Sequence, residues 1–305
     1  MAPINYEGMV ICRIKGFYQL ETVDFGPLLC KVKGNLFESS RYDNQIAVGD
    51  QVLFTKEQQD DVGLIHTIKP KKSILSRSRV EKSAEQILAA NIDTMFIVAS
   101  IKSPPFRHNL VLRLLIAAIS GDIQPIIVVT KTDLTSSHKV EDVITPYKTS
   151  GIQVFTFSTH NENNPTELKT IFNSGLTVLA GHSGVGKSSL INYYYPDLNI
   201  KIGGLSKKRG RGAHTTTYAQ AHKISDQSYV IDTPGIREFG LWQVTQENLA
   251  DYFPFFDKLE QPCMHRNCRH LSEPGCSIKA AVETGEINPI FYNGYCSIYE
   301  DLPKK

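Results

Sequence analysis

The chain has 305 residues, which is enough for two or three domains with a sizeable core. Its 41% hydrophobic and 21% charged residues are ordinary for a globular protein, and a net charge of +2 does not establish a nucleic-acid partner. Neither a basic start followed by an apolar segment nor an apolar run long enough to span a bilayer is present, so we expect a cytoplasmic protein.

Residues 8–72 predict a small β-barrel. Five stretches rich in β-branched and aromatic residues are separated by glycine-marked turns: GMVICRIKG, FYQLETV, PLLCKVKG, DQVLFTKEQ and GLIHTIKP. We interpret residues 1–75 as an OB-fold domain, although an SH3-like barrel would leave the same pattern. Because OB-folds often bind RNA or single strands, RNA binding is the hypothesis for this domain.

Two clusters of basic residues lie outside these strands. They are Lys71, Lys72, Arg77 and Arg79 after the barrel, and Lys207, Lys208, Arg209 and Arg211 further on. Either cluster suits contact with phosphates, and either is equally compatible with a solvated loop.

From residue 76 to 241 strands and helices alternate, which is typical of an α/β domain with a mainly parallel sheet. Buried strands are predicted at Thr94–Ser100 and Gln124–Thr130, with the helical stretch NLVLRLLIAAIS between them. Further strands are predicted in GIQVFTFS, GLTVLAG, TTYAQAHKIS and SYVIDTPG, with a helix around Thr166–Phe172. Residues 242–305 show no sheet pattern and predict a third, helical domain around a cysteine cluster.

The nine residues GHSGVGKSS lie between a predicted strand and a predicted helix and match the phosphate-loop pattern G-x-x-x-x-G-K-S. The glycines let backbone N–H groups turn towards phosphates, Lys187 brings its charge to the β- and γ-phosphates, and the Ser188 hydroxyl is the predicted Mg²⁺ ligand. The predicted nucleotide-binding positions are Gly181, His182, Ser183, Gly184, Val185, Gly186, Lys187, Ser188 and Ser189.

The later sequence VIDTPG is predicted to complete the phosphate site. Asp232 ends a predicted strand and would hold the Mg²⁺ shell through water. Gly235 offers a backbone N–H to the γ-phosphate and a hinge for a segment that moves, which we call switch II. Alone, D-T-P-G is an ordinary turn, but its distance from a phosphate loop favours the functional interpretation.

The stretch TKTD is the form in which many GTPases bind guanine. Its residues, all candidates for nucleotide binding, are Thr130, Lys131, Thr132 and Asp133. The Asp133 carboxylate can accept two hydrogen bonds from the ring N1–H and the exocyclic amine, which adenine cannot offer, and Lys131 would lay its stem over the base. Thr130 replaces the more usual Asn. Ser158, after the next strand, is a candidate for buttressing the base, and is equally a helix cap.

The order of these motifs differs from that of an ordinary GTPase, in which the phosphate loop comes first. Here the base-binding loop and the buttressing loop precede the phosphate loop, the segment around HTTT at 214–217 (switch I) and switch II. Because each motif is a loop at one edge of the sheet, joining the old termini and cutting elsewhere keeps all of them around one nucleotide. The sequence therefore predicts a circularly permuted GTPase domain whose switch II runs directly into the C-terminal segment.

Three of the six cysteines lie in CMHRNCRHLSEPGC. The spacing Cys263-x4-Cys268-x-His270-x5-Cys276 offers three thiolates and one imidazole, a closed tetrahedral set for one structural Zn²⁺ with no position left for a catalytic water. His265 competes with His270 as the fourth ligand. The alternative interpretation is a group of buried free cysteines without metal.

Together, these motifs resemble the ribosome-small-subunit-dependent GTPases, also called the RsgA family. The resemblance covers nearly the whole chain: the OB domain, T/N-K-x-D ahead of G-x-S-G-V-G-K-S, HTTT in switch I, D-T-P-G, and C-x4-C-x-H-x5-C. It implies a GTPase that acts late in maturation of the small (30S) ribosomal subunit and binds ribosomal RNA through its flanking domains. It also implies hydrolysis that is slow in isolation and stimulated by the subunit.

The resemblance also points to a hydrolytic residue. Many GTPases place a water-orienting Gln after the glycine of D-T-P-G, but Ile236 stands there and cannot polarise water. In this family the candidate is a histidine in switch I, here His214, which either positions the attacking water or only contacts RNA. Ala213 stands where the family usually has Arg or Lys, a departure that leaves the hydrolytic elements in place. One of the next three residues, Thr215, Thr216 or Thr217, should complete the Mg²⁺ shell.

The leading hypothesis is therefore a Mg²⁺-dependent hydrolase that converts GTP to GDP and phosphate, with Lys187 and His214 as catalytic residues. We expect the small subunit and its rRNA as partners, no DNA or membrane partner, and a monomeric chain. Two other hypotheses stay open: an RNA-binding module gated by a nucleotide whose turnover is incidental, and an ATPase or kinase in which TKTD has another role.

Overall fold

The structure, a computed structural model, describes most of the chain. The described residues are 4–14, 16–34, 46–57, 60–79, 84–161, 164–200, 219–232, 241, 243–256, 259 and 261–302. Several predicted features lie outside them: His214, the three threonines of switch I, Gly235, the side chain of Asp232 and the basic cluster at 207–211.

The first five strands close into a barrel. They are β1 (Tyr6–Ile14), β2 (Phe17–Thr22), β3 (Gly26–Val32), β4 (Gln51–Thr55) and β5 (Val62–Ile68). Their order is β1-β2-β3-β5-β4, β4 returns to pair with β1, and β3–β5 is the parallel pair. Alternate side chains such as Leu20, Phe54 and Ile65 point inward and are fully buried, as the period of two requires. The prediction of an OB-fold barrel is confirmed.

A hairpin follows the barrel where the sequence had indicated only a basic linker. Its strands are β6 (Ile74–Arg79) and β7 (Ala84–Ala90), which pair in an antiparallel ladder. The stretch ILSRSR has few of the β-branched and aromatic residues that mark strands, so the hairpin depends on its packing partners rather than on local propensity. Leu75 and Ala89, for example, are buried in the main hydrophobic core.

Lys71 forms a buried ion pair, although the sequence made it a candidate for phosphate contact. Its Nζ lies 2.8 Å from both carboxylate oxygens of Asp50, and the two side chains are 7% and 0% exposed. The second carboxylate oxygen also accepts a hydrogen bond from the Ala47 N–H at 2.8 Å. Lys71 therefore anchors the end of the barrel to the loop before β4.

The second group of strands forms the α/β sheet. They are β8 (Thr94–Ser100), β9 (Gln124–Thr130), β10 (Val154–Phe157), β11 (Leu176–Ala180), β12 (Gln220–Ser225) and β13 (Ser228–Asp232). Their order is β10-β9-β8-β11-β13-β12, and all pairs are parallel except β12–β13. If the strands are numbered from β11 as the first and the count continues from β13 to β8, as in a chain that is not permuted, the order is 6-5-4-1-3-2. The two buried strands predicted at 94–100 and 124–130 have the predicted bounds.

The described chain has six helices, of which the first four belong to the α/β domain and the last two to the C-terminal part. They are α1 (His108–Ser120), α2 (Ser137–Thr149), α3 (Thr166–Phe172), α4 (Lys187–Tyr194), α5 (Ser277–Thr284) and α6 (Pro289–Asp301). Short 3-10 helices occupy Thr132–Leu134, Pro196–Leu198 and Leu249–Tyr252. Among the described residues, no helix has the length and apolar character needed to cross a membrane.

The C-terminal helices pack directly on the α/β domain. Gly294 of α6 faces α1 so closely that a Cβ there would lie 2.2 Å from Leu112 Cδ1. The rings of Phe255 and Phe291 stack with centroids 3.6 Å apart, beside the fully buried Tyr147 of α2. One hydrophobic core therefore continues from the sheet into the region of residues 242–305.

Candidate active site and metal centre

The predicted site loops meet at one edge of the sheet. Parallel strands place their carboxyl ends together, and in this sheet Thr130 ends β9 in register with Ser100 and Phe157. Ser158 follows β10, the phosphate loop follows β11, and Asp232 ends β13 next to β11. The arrangement that the permuted motif order requires is thus present.

Glycine conformations shape the phosphate loop. Gly181, Gly184 and Gly186 have φ values of +148°, +81° and +101°, a region that favours glycine. At Gly181 a Cβ would also come within 2.1 Å of the Val98 carbonyl oxygen. The helix α4 begins at Lys187 directly after the loop, so its first N–H groups face the position that phosphates occupy in such loops.

The lysine of the loop folds over the loop itself. Lys187 Nζ donates hydrogen bonds to the carbonyl oxygens of Gly181 and His182, at 2.7 and 2.9 Å. A side chain in this position can exchange those carbonyl contacts for phosphate oxygens without moving its backbone. The loop's other polar side chains are exposed or half-buried: His182 and Ser183 are exposed, and Ser188 and Ser189 in the first turn of α4 are half-buried.

Two hydrogen bonds join the TKTD loop to the phosphate loop. Thr130 Oγ1 donates to the carbonyl oxygen of Val185 at 2.5 Å, and Lys131 Nζ donates to that of Gly184 at 2.7 Å. Lys131 also donates to the carbonyl of Ser103, in the loop after β8. Thr130 is only 2% exposed, so its hydroxyl lies inside the protein and connects the loops.

Asp133 and Ser158 lie together, as the sequence predicts for a residue that reads the base and one that supports it. Lys131 adopts a left-handed conformation, φ +58°, which turns the chain into the short helix carrying Asp133. The buried Ser158 donates its hydroxyl hydrogen to Asp133 Oδ1 at 2.5 Å, which fixes the orientation of the exposed carboxylate. Thr132 makes a long contact, 3.5 Å, to the Phe157 carbonyl.

Asn164 supports this arrangement and was not singled out from the sequence. Its Oδ1 accepts a hydrogen bond from Ser158 N at 3.0 Å, and its Nδ2 donates to Ser158 O at 2.7 Å. Both backbone groups of Ser158 are thereby fixed by one amide side chain that is itself 8% exposed. The signal available in the sequence is the Asn-Pro pair ahead of α3, which is typical of a turn.

The metal-binding residues predicted near the C-terminus come together. One ligand atom from each of Cys263, Cys268, His270 and Cys276 lies within 4.8 Å of all the others. The Sγ atoms of Cys263 and Cys276 are 3.9 Å apart, and each is 3.5 Å from His270 Nδ1. Tetrahedral Zn²⁺ with bonds of about 2.3 Å to sulfur and about 2.0 Å to nitrogen separates its ligand atoms by about 3.5–3.8 Å, so the cluster fits zinc.

His270, and not His265, faces the thiols. Burial lowers the pKa of His270, which favours the neutral imidazole that metal binding requires. The side chain of His265 is exposed to solvent. Between the two alternatives that the sequence left open, the geometry favours His270.

The loop that carries His270 is held by its surroundings. Glu273 accepts hydrogen bonds from the N–H groups of Arg269, Leu271 and Ser272 at 2.8–3.1 Å. Burial by itself would raise the pKa of Glu273, but these backbone hydrogen bonds lower it to about 2. From α6, the Tyr292 hydroxyl donates to the His270 carbonyl at 2.8 Å. The metal-binding loop is thus attached to the helix that packs on α1.

The phosphate loop is joined to a guanine-type loop, and both lie on a mainly parallel sheet whose strands follow a permuted order. These features define the class of protein as a circularly permuted GTPase. The sequence model of the RsgA GTPase family matches residues 68–242. The small ribosomal subunit biogenesis GTPase RsgA of Chlorobaculum parvum is 35% identical over 302 residues, 96% of this chain and 97% of that protein. The chain belongs to the RsgA GTPase family and hydrolyses GTP.

Two solved structures share the whole architecture. The crystal structure of YjeQ from Thermotoga maritima matches with a TM-score of 0.77 at 28% identity, covering 98% of this chain and 99% of that one. YloQ, described as a circularly permuted GTPase, matches with a TM-score of 0.73 at 28% identity, covering 99% and 98%. The permutation inferred from motif order therefore has structural counterparts along the full chain.

Replacing Thr130 tests the connection between the two loops. In Thr130→Val the Val185 carbonyl loses its buried partner, which costs the arrangement of the two loops about 1–3 kcal/mol. Because one nucleotide can occupy both loops only in that arrangement, we expect GTP and GDP to bind more weakly, by up to roughly 150-fold and by similar factors. Thr130→Ser keeps the hydroxyl and is the matched control. Calorimetric titration gives both dissociation constants; a Val variant that binds as tightly as the parent protein would contradict the role of the tether.

The two histidines of the metal-binding loop provide a matched pair. We expect purified His270→Ala to lose its zinc, and His265→Ala to keep one zinc per chain, because only His270 faces the thiols. Metal content is measured by elemental analysis after dialysis, together with thermal unfolding, since a structural zinc contributes on the order of 10 kcal/mol to local folding. The opposite pattern of zinc loss would assign the fourth ligand to His265.

Proposed function

We propose that this GTPase acts late in maturation of the small ribosomal subunit. In its GTP-bound form it binds the subunit and its rRNA, docking stimulates hydrolysis, and hydrolysis promotes release. The proposal is supported by the names of its relatives and by one observation above all: the Thr130 and Lys131 side chains bond to the phosphate loop, so one guanine nucleotide can occupy both loops.

Each residue of the site has a role in this proposal. Asp133, oriented by Ser158, accepts hydrogen bonds from the guanine edge, and the phosphate-loop N–H groups with Lys187 stabilise charge on the β- and γ-phosphates. Ser188 and Asp232 would hold Mg²⁺, which supplies further charge neutralisation at the transferred phosphoryl group when bound. His214 orients the attacking water, because Ile236 offers no polar group for that purpose.

The domains have distinct parts in the proposed cycle. Residues 1–75 and 242–305 contact the subunit, and residues 76–241 bind and hydrolyse the nucleotide. Switch II, as predicted from D-T-P-G, leads directly to Leu241 and Val244, which are buried in the core shared with the C-terminal helices. A change in switch II on loss of the γ-phosphate thereby acts on the zinc-binding region.

Phosphate release from GTP and from ATP, with and without purified small subunits, tests the proposal. We expect GTP to be the substrate and its turnover to rise when small subunits are added, with large subunits as the control. His214→Ala should bind small subunits with GTP but lose about 100-fold or more of the stimulated rate. Unchanged GTP turnover in the presence of small subunits would contradict the ribosomal role.

A further inference from the structure

Tyr194, the last residue of α4, contacts the chain on both sides of Ser158, the residue that supports Asp133. Its hydroxyl donates a hydrogen bond to the Pro165 carbonyl at 2.7 Å. Its ring lies beside the ring of Phe157, which directly precedes Ser158, with centroids 6.2 Å apart. Tyr194 therefore lies where the end of α4, the end of β10 and the start of α3 meet.

The surroundings of Tyr194 are well packed. Its ring also contacts that of Phe172 in α3, with centroids 6.1 Å apart, and Phe157 and Phe172 are 2% and 0% exposed. The Pro165 carbonyl also accepts the Leu168 N–H at 3.3 Å, so the tyrosine bonds to the first turn of α3. Burial raises the pKa of Tyr194 to about 12, so at neutral pH its hydroxyl is protonated and donates.

A short series of hydrogen bonds leads from Pro165 to the predicted base ligand. Pro165 directly follows Asn164 in the chain. The Asn164 side chain bonds to the N–H and the carbonyl of Ser158, whose hydroxyl donates to Asp133 Oδ1. Since α4 begins at the end of the phosphate loop, Tyr194 connects the helix of that loop to the support of Asp133. This connection is separate from the hydrogen bonds between the two loops.

We propose that Tyr194 is a positioning residue for guanine recognition. By holding the turn at Asn164 and Pro165, it keeps the Asp133 carboxylate in the orientation that accepts hydrogen bonds from the guanine edge. Without its hydroxyl the turn is held less firmly, and the hydrogen bond to the exocyclic amine weakens more than the contacts with the phosphates. The inference rests on the proposed function, because it uses the role proposed there for Asp133.

The variant Tyr194→Phe tests this role, because it removes the hydroxyl and keeps the ring. Inosine diphosphate lacks the exocyclic amine of GDP, so the ratio of the two dissociation constants isolates the contribution of that amine. We expect Tyr194→Phe to lower the preference for GDP over IDP by about 2- to 10-fold, the effect of one hydrogen bond between uncharged groups. Calorimetric titration of the nucleotide-free protein gives both dissociation constants.

The neighbouring tyrosine supplies a matched control. The Tyr195 hydroxyl donates to Asn173 Oδ1 at 2.8 Å, at the opposite end of α3 from Asn164. Tyr195→Phe therefore removes the same atom from the same helix contact but away from Ser158, and we expect it to keep the parent protein's preference for GDP. Thermal unfolding compares the stabilities of the two variants. An equal loss of preference in both variants, or an unchanged preference in Tyr194→Phe, would overturn the proposal.

Two further backgrounds separate this inference from the role of Asp133. In Ser158→Ala the series of hydrogen bonds is already broken, so adding Tyr194→Phe should lower the preference no further, and an additive loss would contradict the route through Ser158. Asp133→Ala should abolish the preference for GDP over IDP. If it does so and Tyr194→Phe keeps that preference, the positioning role fails while the base-binding role stands. If Asp133→Ala keeps the preference, the proposed role of Asp133 fails and the inference fails with it.

Discussion

The hydrogen bond from the Thr130 hydroxyl to the Val185 carbonyl is the contact on which the active site depends. It connects the loop predicted to recognise the base to the loop predicted to bind the phosphates, although Thr130 and Val185 lie 55 residues apart in the chain. Lys131 adds a second connection at Gly184. Because both hydrogen bonds end on backbone carbonyls of the phosphate loop, they fix the position of Asp133, the predicted base ligand, relative to the N–H groups predicted to bind phosphate. Circular permutation leaves this geometry intact, since loops at one sheet edge need no particular order along the chain.

Permutation does change which parts of the chain follow the loops of the nucleotide site. In this chain the predicted switch I leads into β12, which meets the barrel, and the predicted switch II leads into Leu241 and the core shared with α6. Under the proposed function, a change at the γ-phosphate would therefore act on the chain that leads into each flanking domain. The loop of the predicted zinc ligands is attached to the same core, because the Tyr292 hydroxyl of α6 donates a hydrogen bond to the His270 carbonyl.

The sequence is informative where chemistry imposes fixed spacing on neighbouring residues. The phosphate loop, TKTD and the Cys/His cluster were recognisable for that reason, and the buried strands because they are continuous apolar runs. The β6–β7 hairpin, the Asp50–Lys71 ion pair and the support of Ser158 by Asn164 were not foreseen. Each depends on a partner that only the folded chain brings close, and neither residue type nor local spacing indicates which partner it will be. The role of Thr130 belongs to the same class, since a hydroxyl in TKTD can face a ligand or a neighbouring loop.

Whether one nucleotide lies between the two loops is tested most directly by the base preference of Asp133→Asn. An amide in place of the carboxylate still accepts from the ring N1–H but donates where the second carboxylate oxygen accepted. This suits the exocyclic oxygen at C2 of xanthine and not the amine at C2 of guanine. We predict that binding measured by titration shifts from GTP to XTP, and that Lys187→Ala in the same background weakens the binding of XTP. A variant that keeps the parent protein's preference for GTP would show that the base is bound elsewhere, and the arrangement described here would be wrong.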